Sequence, residues 1–172
     1  SCGLDPLHMA CAKQVHGTEV VRVRPEDRGR GATDWHGALG PADALLTDVL
    51  GLPLAVLVAD CVPVYLFDPV RRVAGLVHAG WRGMVRGIVG ATLGSRSGGR
   101  RIAAIGSSIG PCCFEVGLDV AATIGDAVGS MSVVSNRSFE KAFVNLREAA
   151  RLELLRAGVQ ATDIENVGGC TK

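Results

Sequence analysis

Residues 54–83, LAVLVADCVPVYLFDPVRRVAGLVHAGWRG, decide how this chain is read. Leu54–Ala59 is a near-continuous apolar run of strand length, which predicts a strand buried on both faces. Asp60 and Cys61 interrupt it. Val62–Phe67 then resumes with Pro63 inside, and a proline within a strand implies a bulge or an edge. A turn over Asp68-Pro69 and Arg71-Arg72 leads into Val73–His78, the expected partner strand. Pairing these runs in a sheet brings Cys61 and His78 together. Beyond His78, residues 79–83 (AGWRG) lead into apolar positions Met84, Val85, Ile88, Val89 and Leu93 at helical spacing, so a helix is expected from near Gly83. A strand, a glycine turn and a helix start form an anion site in physical terms, and Arg82 adds charge to it. Arg82 otherwise reads as a surface ion-pair former. Trp81 either stacks on a planar ligand or packs under the helix.

Upstream, residues 1–12 read as a frayed lead-in or the end of a helix. In KQVHGTEVVRV (13–23), the valines predict a strand broken at His16-Gly17, where Gly17 lets the backbone bend and His16 point into a cleft. Residues 24–41, rich in Gly, Arg and Asp, read as a long exposed loop, and Ala44–Leu46 as a short apolar piece before a turn at 51–53. Downstream, 94–101 reads as a flexible loop and IAAIG (102–106) as a buried strand. SSIGPCCFEVG (107–117) is a loop punctuated by Gly and Pro. LDVAATIGDAV (118–128) and VNLREAARLELLRAG (144–158) are amphipathic helices, the second capped by Gly158. Cys170 follows a Gly-Gly turn near the end.

With 172 residues, 48% hydrophobic and 20% charged, residues 1–172 read as one globular domain rather than a disordered segment. Only 4% of residues are aromatic, so the core is expected to pack through aliphatic side chains. A net charge of +1 gives no bulk pull toward nucleic acid or an anionic membrane. Asp60, Pro53 and Pro63 argue against reading 50–67 as a membrane span. There is no basic segment followed by an apolar one at the start, so no secretory signal is expected. Six cysteines with an ample apolar core are expected as reduced thiols in a cytoplasmic protein, and Cys112-Cys113 are vicinal, which is awkward for a bridge.

Three residues stand out chemically: His16, Cys61 and His78. One thiolate and two imidazoles suit Zn²⁺ with a fourth position for water or substrate, and disfavour Mg²⁺ or Ca²⁺. Asp60 is a candidate to orient an imidazole or accept a proton. The same residues fit a second chemistry, in which Cys61 is a nucleophile, His78 its base, and Asp60 or Gln14 the orienting group. On the residues alone, metal binding and nucleophilic hydrolysis stand as alternatives. So does the plain reading of each as a packed core side chain. Four histidines and no His-x-His pair disfavour a multicopper centre.

In order, KQVHGTEV, ADALLTD, LAVLVADCVPVYLFDP, VHAGWRG, IGPCCFEVG and CTK resemble the laccase-domain family over nearly the whole chain. That family was formerly described as multicopper polyphenol oxidoreductase. It is now described as purine nucleoside phosphorylase and includes bacterial peptidoglycan-editing factors. The resemblance implies a four-layer α/β/β/α sandwich with mixed sheets. It also implies zinc on His16, Cys61 and His78, while the histidine count disfavours copper, and the catalytic set is read as these three with Asp60. The implied reaction is phosphorolysis of inosine, guanosine, adenosine and methylthioadenosine, with adenosine deamination as a further activity. Purine nucleoside and phosphate are then the partners, and Gln14, Gly80, Arg82 and Cys170 the residues lining their site. Family members usually carry a portion before the QVHG strand and run past the CT motif into an arginine-bearing segment, so further segments are expected at both ends. Rival expectations are a metal-independent cysteine hydrolase or amidase acting on cell-wall precursors, and a non-enzymatic adaptor for the cell-division or wall machinery.

Overall fold

The computed structural model describes residues 5–94, 99–135 and 137–172. In chain order the elements are β1 (Ala10–Cys11), β2 (Val20–Arg22), β3 (Ala44–Thr47), β4 (Leu54–Ala55), β5 (Val62–Asp68), β6 (Val73–Ala79), α1 (Trp81–Val85), α2 (Ile88–Leu93), β7 (Ile102–Ile105), β8 (Glu115–Gly117), α3 (Leu118–Val128), β9 (Val134–Ser135), β10 (Lys141–Val144), α4 (Leu146–Arg156) and β11 (Ile164–Asn166). They form a six-stranded sheet in the order β11-β7-β5-β6-β3-β2, a three-stranded sheet β8-β10-β9 and a two-stranded pair β1-β4. The large sheet is mixed: its outer pairs β11-β7 and β2-β3 are parallel, and the pairs between them antiparallel. The expected α/β class with mixed sheets is therefore shown.

The β5-β6 hairpin is the middle of that sheet, paired from Val62↔Ala79 to Asp68↔Val73. Its turn is held by the Asp68 carboxylate, which accepts from the amides of Val70 and Arg71 and from the Arg71 guanidinium. Val62, Val64 and Leu66 enter one core with Val77 and Ala79, while Tyr65 and Phe67 face outward on the alternate side. Met84 of α1, Ile88 and Val89 of α2, Ile124 of α3 and Leu154 of α4 close over that core. A second core of Ala10, Ala12, Val23, Leu39, Ala42, Leu45 and Leu52 lies beside it.

Several expectations are corrected. Pro63 makes neither bulge nor edge: β5 is central, and its register with β6 runs through Pro63↔His78 without an extra residue. The ladder to β7 ends at Val64↔Ile105, so the missing amide falls where that neighbour has stopped. The Pro63 carbonyl still accepts from Gly106 at 2.9 Å. The run Leu54–Ala59 is not a buried strand. Only Leu54–Ala55 pairs, with β1, and Leu57 and Val58 are 68% and 39% exposed. A continuous apolar run does not by itself say whether a neighbouring strand exists.

The lead-in is neither frayed nor helical at residues 10–12, which are buried. The valine strand begins only at Val20, and the backbone at its approach bends at His16-Gly17 as expected, with the left-handed φ of 57° at His16. Residues 24–41 contain two short 3-10 turns, and Ala38 and Leu39 are buried, so the loop is not wholly exposed. The helix expected from Gly83 starts at Trp81 and breaks into two, because Gly87 takes φ 81°, a conformation glycine adopts readily. α3 spans 118–128 as expected. α4 starts later than expected, at Leu146, where the Asn145 side chain accepts from the Glu148 amide. Residues 95–98 of the 94–101 loop, and Cys2, lie outside the described residues. Among the described residues no helix is long and apolar enough to cross a membrane, and Cys11, Cys61, Cys112, Cys113 and Cys170 are unpaired.

Candidate metal centre

His16, Cys61 and His78 converge at the open end of the β5-β6 hairpin. Their ligand atoms lie within 4.8 Å of one another. Cys61 immediately precedes β5 and His78 is the penultimate residue of β6, so the ladder sets their proximity. His16 arrives from the irregular segment before β2. Its Nε2 lies 3.8 Å from Cys61 Sγ, and its ring meets that of His78 edge-on at 4.8 Å between centroids.

Asp43, fully buried just before β3, organises this meeting. Its Oδ1 lies 2.8 Å from His78 Nδ1. Its two oxygens also accept from the amides of Val15, His16 and Gly17 at 3.1, 2.9 and 2.7 Å. One carboxylate thus holds the His16 loop, including its left-handed backbone, and aims the His78 ring so that Nε2 is left for the centre. Burial pushes the Asp43 carboxyl up, but the His78 ring and the three amides pull it down further, so it stays below its ordinary value. Burial lowers His78 against the pull of Asp43, which favours a neutral imidazole ligand. Burial, and then the charges of Asp60 and Asp43, raise the Cys61 thiol. A bound cation reverses that balance by favouring the thiolate.

Gly80 gives the centre its room. A Cβ there would stand 2.8 Å from His16 Cδ2 and 3.0 Å from Cys61 Sγ. The donor set of two imidazoles and one thiol, meeting from three segments around a residue with no side chain, fits a borderline-soft ion such as zinc.

The other expected site residues fall nearby with different partners. Asp60 does not reach either imidazole by a hydrogen bond. Its carboxylate accepts from Thr171 Oγ1 at 3.3 Å and lies 3.7 Å from Lys172 Nζ, and its carbonyl accepts from the Ile109 amide. The orienting role belongs to Asp43. Gln14 does not orient a base either: its amide donates to Leu57 O at 2.8 Å and accepts from Leu57 N at 2.7 Å. Arg82 is exposed, with its guanidinium carbon 4.4 Å above the Trp81 ring. Because α1 is a single short turn of five residues, Arg82 rather than the helix end supplies positive charge there. Trp81 packs against the main core. Cys170 joins Cys112 and Cys113 rather than Cys61. The amides of Lys172 and Gly110 pull its thiol down to about 7. Asp43 is the residue the sequence reading missed. Its signal is an acidic residue at the mouth of the apolar strand Ala44–Leu46, where a buried charge requires partners.

The fold and this centre define an α/β domain with a nitrogen–sulfur–nitrogen donor set at the end of a sheet. The chain belongs to the family described as multi-copper polyphenol oxidoreductase laccase, whose family model matches residues 1–172. It is 38% identical over 169 residues to purine nucleoside phosphorylase YlmD of Geobacillus stearothermophilus, an alignment covering 94% of this chain and 62% of that protein. It is 34% identical over 177 residues to adenosine deaminase RL5 of an unknown prokaryotic organism, covering 99% and 68%. The crystal structure of the Bacillus licheniformis hypothetical protein YfiH superposes with a TM-score of 0.90 at 33% identity, covering 98% of this chain and 66% of that one. The chain thus spans about three-fifths of the length of curated relatives it matches.

Proposed function

We propose that this chain carries the zinc centre of a purine nucleoside phosphorylase, with adenosine deamination as a second activity of the same site. The observation that carries the reading is the convergence of His16, Cys61 and His78 around Gly80, with His78 aimed by buried Asp43. The names borne by relatives at 32–38% identity support the choice of substrate. In this reading His16 Nε2, Cys61 Sγ and His78 Nε2 hold the ion. Zinc bound there supplies Lewis acidity and lowers the pKa of a bound water. Asp43 fixes the His78 tautomer by accepting from Nδ1. Asp60, tied to Thr171, accepts a proton at the rim. Exposed Arg82 binds phosphate, while Gln14, Gly80 and Cys170 border the nucleoside. The centre is read as intracellular, consistent with its unpaired thiols.

A metal-independent Cys–His hydrolase is the second reading, favoured by the Cys61–His16 approach of 3.8 Å. Its weakness is geometric. The imidazole oriented by a carboxylate is His78, and the one contacting the thiol is His16, so no single base is both aimed and in contact. Elemental analysis of protein purified without added metal, coupled to an inosine-plus-phosphate assay, tests the proposal. Turnover and the zinc equivalent held by His16, Cys61 and His78 should both vanish in Cys61→Ala. Full turnover in that variant would sink the proposal. Metal-free protein that turns over and alkylates rapidly at Cys61 would establish the hydrolase. Trace turnover with zinc retained and a protein partner in pull-downs would point to an adaptor.

A further inference from the structure

Cys112 and Cys113 in the loop after β7, with Cys170 beyond β11, form a second group of donors separate from His16, Cys61 and His78. Cys112, Cys113 and Cys170 place their sulfurs within 4.8 Å of one another. Cys112 Sγ is 3.4 Å from Cys113 Sγ and 3.6 Å from Cys170 Sγ. These thiols come from two segments joined by backbone. The Ser108 amide donates to Gly169 O at 3.2 Å, the Thr171 amide donates to Ser108 O at 3.1 Å, and the Gly169 amide donates to Ser107 Oγ at 3.3 Å. The Gly110 carbonyl accepts from both Cys113 and Phe114 at 3.0 Å, which folds the vicinal cysteines back over their own loop. The Gly110 amide donates to Cys170 Sγ at 3.2 Å. A Cβ on Gly110 would lie 3.0 Å from Cys170 Sγ and 3.3 Å from Cys112 Sγ, so the loop leaves room for three sulfurs and little else.

We propose that Cys112, Cys113 and Cys170 form a second metal site, which takes one thiophilic cation, Cu(I) or Zn(II), through three sulfurs. At a metal–sulfur distance of about 2.3 Å, sulfurs in tetrahedral coordination sit about 3.8 Å apart. The spacings of 3.4 and 3.6 Å reach that arrangement with shifts of a few tenths of an ångström. Soft sulfur donors select such cations over Mg²⁺ or Ca²⁺. The Gly110 amide aimed at Cys170 favours sulfur in its anionic, ligating form. Binding displaces thiol protons and forms metal–sulfur bonds without any change of oxidation state. The site shares no ligand with His16, Cys61 and His78. It adjoins them through Asp60, which contacts Ile109 and Thr171 on the segments that carry these cysteines.

The test is a Cd(II) titration under a non-thiol reductant, reading sulfur-to-cadmium charge-transfer absorption and bound stoichiometry. It uses a His16→Ala, Cys61→Ala variant, from which the first centre is absent. One Cd(II) per chain is expected, with a band of three-thiolate intensity that Zn(II) and Cu(I) displace. The band should disappear when Cys112→Ser and Cys170→Ser are added. If that combination does not fold, Cys113→Ser alone should lower the band by about a third, one thiolate of three. No saturable Cd(II) binding, or a band indifferent to all of these serine substitutions, would overturn the site. Because the first centre is removed beforehand, failure here is separable from failure of the phosphorylase reading.

Discussion

Four donors point at the carboxylate of Asp43, the Nδ1 of His78 and the amides of Val15, His16 and Gly17. Asp43→Ala leaves all four without their acceptor, the His78 ring buried and the three amides partly so. Zinc affinity should fall about 10–100-fold, as for loss of a carboxylate behind a ligating histidine. Stability should fall by about 1–3 kcal/mol, the cost of leaving buried donors unmet. A chelator-competition titration reads the first and a urea midpoint the second. Unchanged zinc affinity would show that Asp43 does not aim His78. The three donor residues themselves were legible in the chain, because a thiol and two imidazoles beside valine strands are chemically conspicuous. Asp43 was not. Its role exists only once the His16 loop folds back, 26 to 28 positions away in sequence, onto the start of β3.

At the level of elements, α4 carries a carboxylate that works against its own helix. Glu153 is buried, its Oε2 has no hydrogen-bond partner, and burial pushes its carboxyl up to about 7 despite Arg156 and the Val89 amide. Its unfolded value is about 4.3. Between these values the folded chain binds more protons than the unfolded one, so stability declines as pH rises from about 4 through about 7. Glu153→Gln should remove that slope and stabilise the protein above pH 7 by up to about 3 kcal/mol. Urea midpoints at pH 5 and pH 8 check it, and parallel declines in both proteins would exclude Glu153 as the cause. α3 and α4 were readable because their apolar periodicity runs for three turns. The α1–α2 break was not, since periodicity continues across Gly87 while the backbone does not.

Across the whole molecule, the hairpin β5-β6 has the His16, Cys61 and His78 donor set at one end and a cleft of about 330 Å³ at the other, bordered by Arg22, Phe67, Asp68, Arg71 and Arg101. A metal at the first end would bind three segments that only tertiary folding brings together. Saturating zinc should therefore raise the melting temperature, by about 2.7 kcal/mol of stabilisation at a hundredfold excess over Kd. Cys61→Ala should show a smaller rise, from the three-cysteine site alone, and Cys61→Ala combined with Cys112→Ser and Cys170→Ser should show none. An equal rise in Cys61→Ala would place the stabilising zinc elsewhere. The central hairpin was readable because its turn and both apolar runs are local. The parallel edges β2-β3 and β7-β11 were not, because each pairs a strand of three or four residues with a distant partner. Nor was the bond pattern of Gln14. Its side-chain amide offers Leu57 one acceptor and one donor, the same pair a neighbouring peptide group would offer. A side chain there acts as a prosthetic strand, splinting the segment that enters Cys61 to residues 43 positions earlier. Gln14→Glu keeps the acceptor and deletes the donor, so half the splint survives. The Leu57 amide should stay protected from hydrogen exchange in that variant and lose protection in Gln14→Ala, which makes one side-chain nitrogen and oxygen the measurable boundary between ordered and frayed backbone beside the centre.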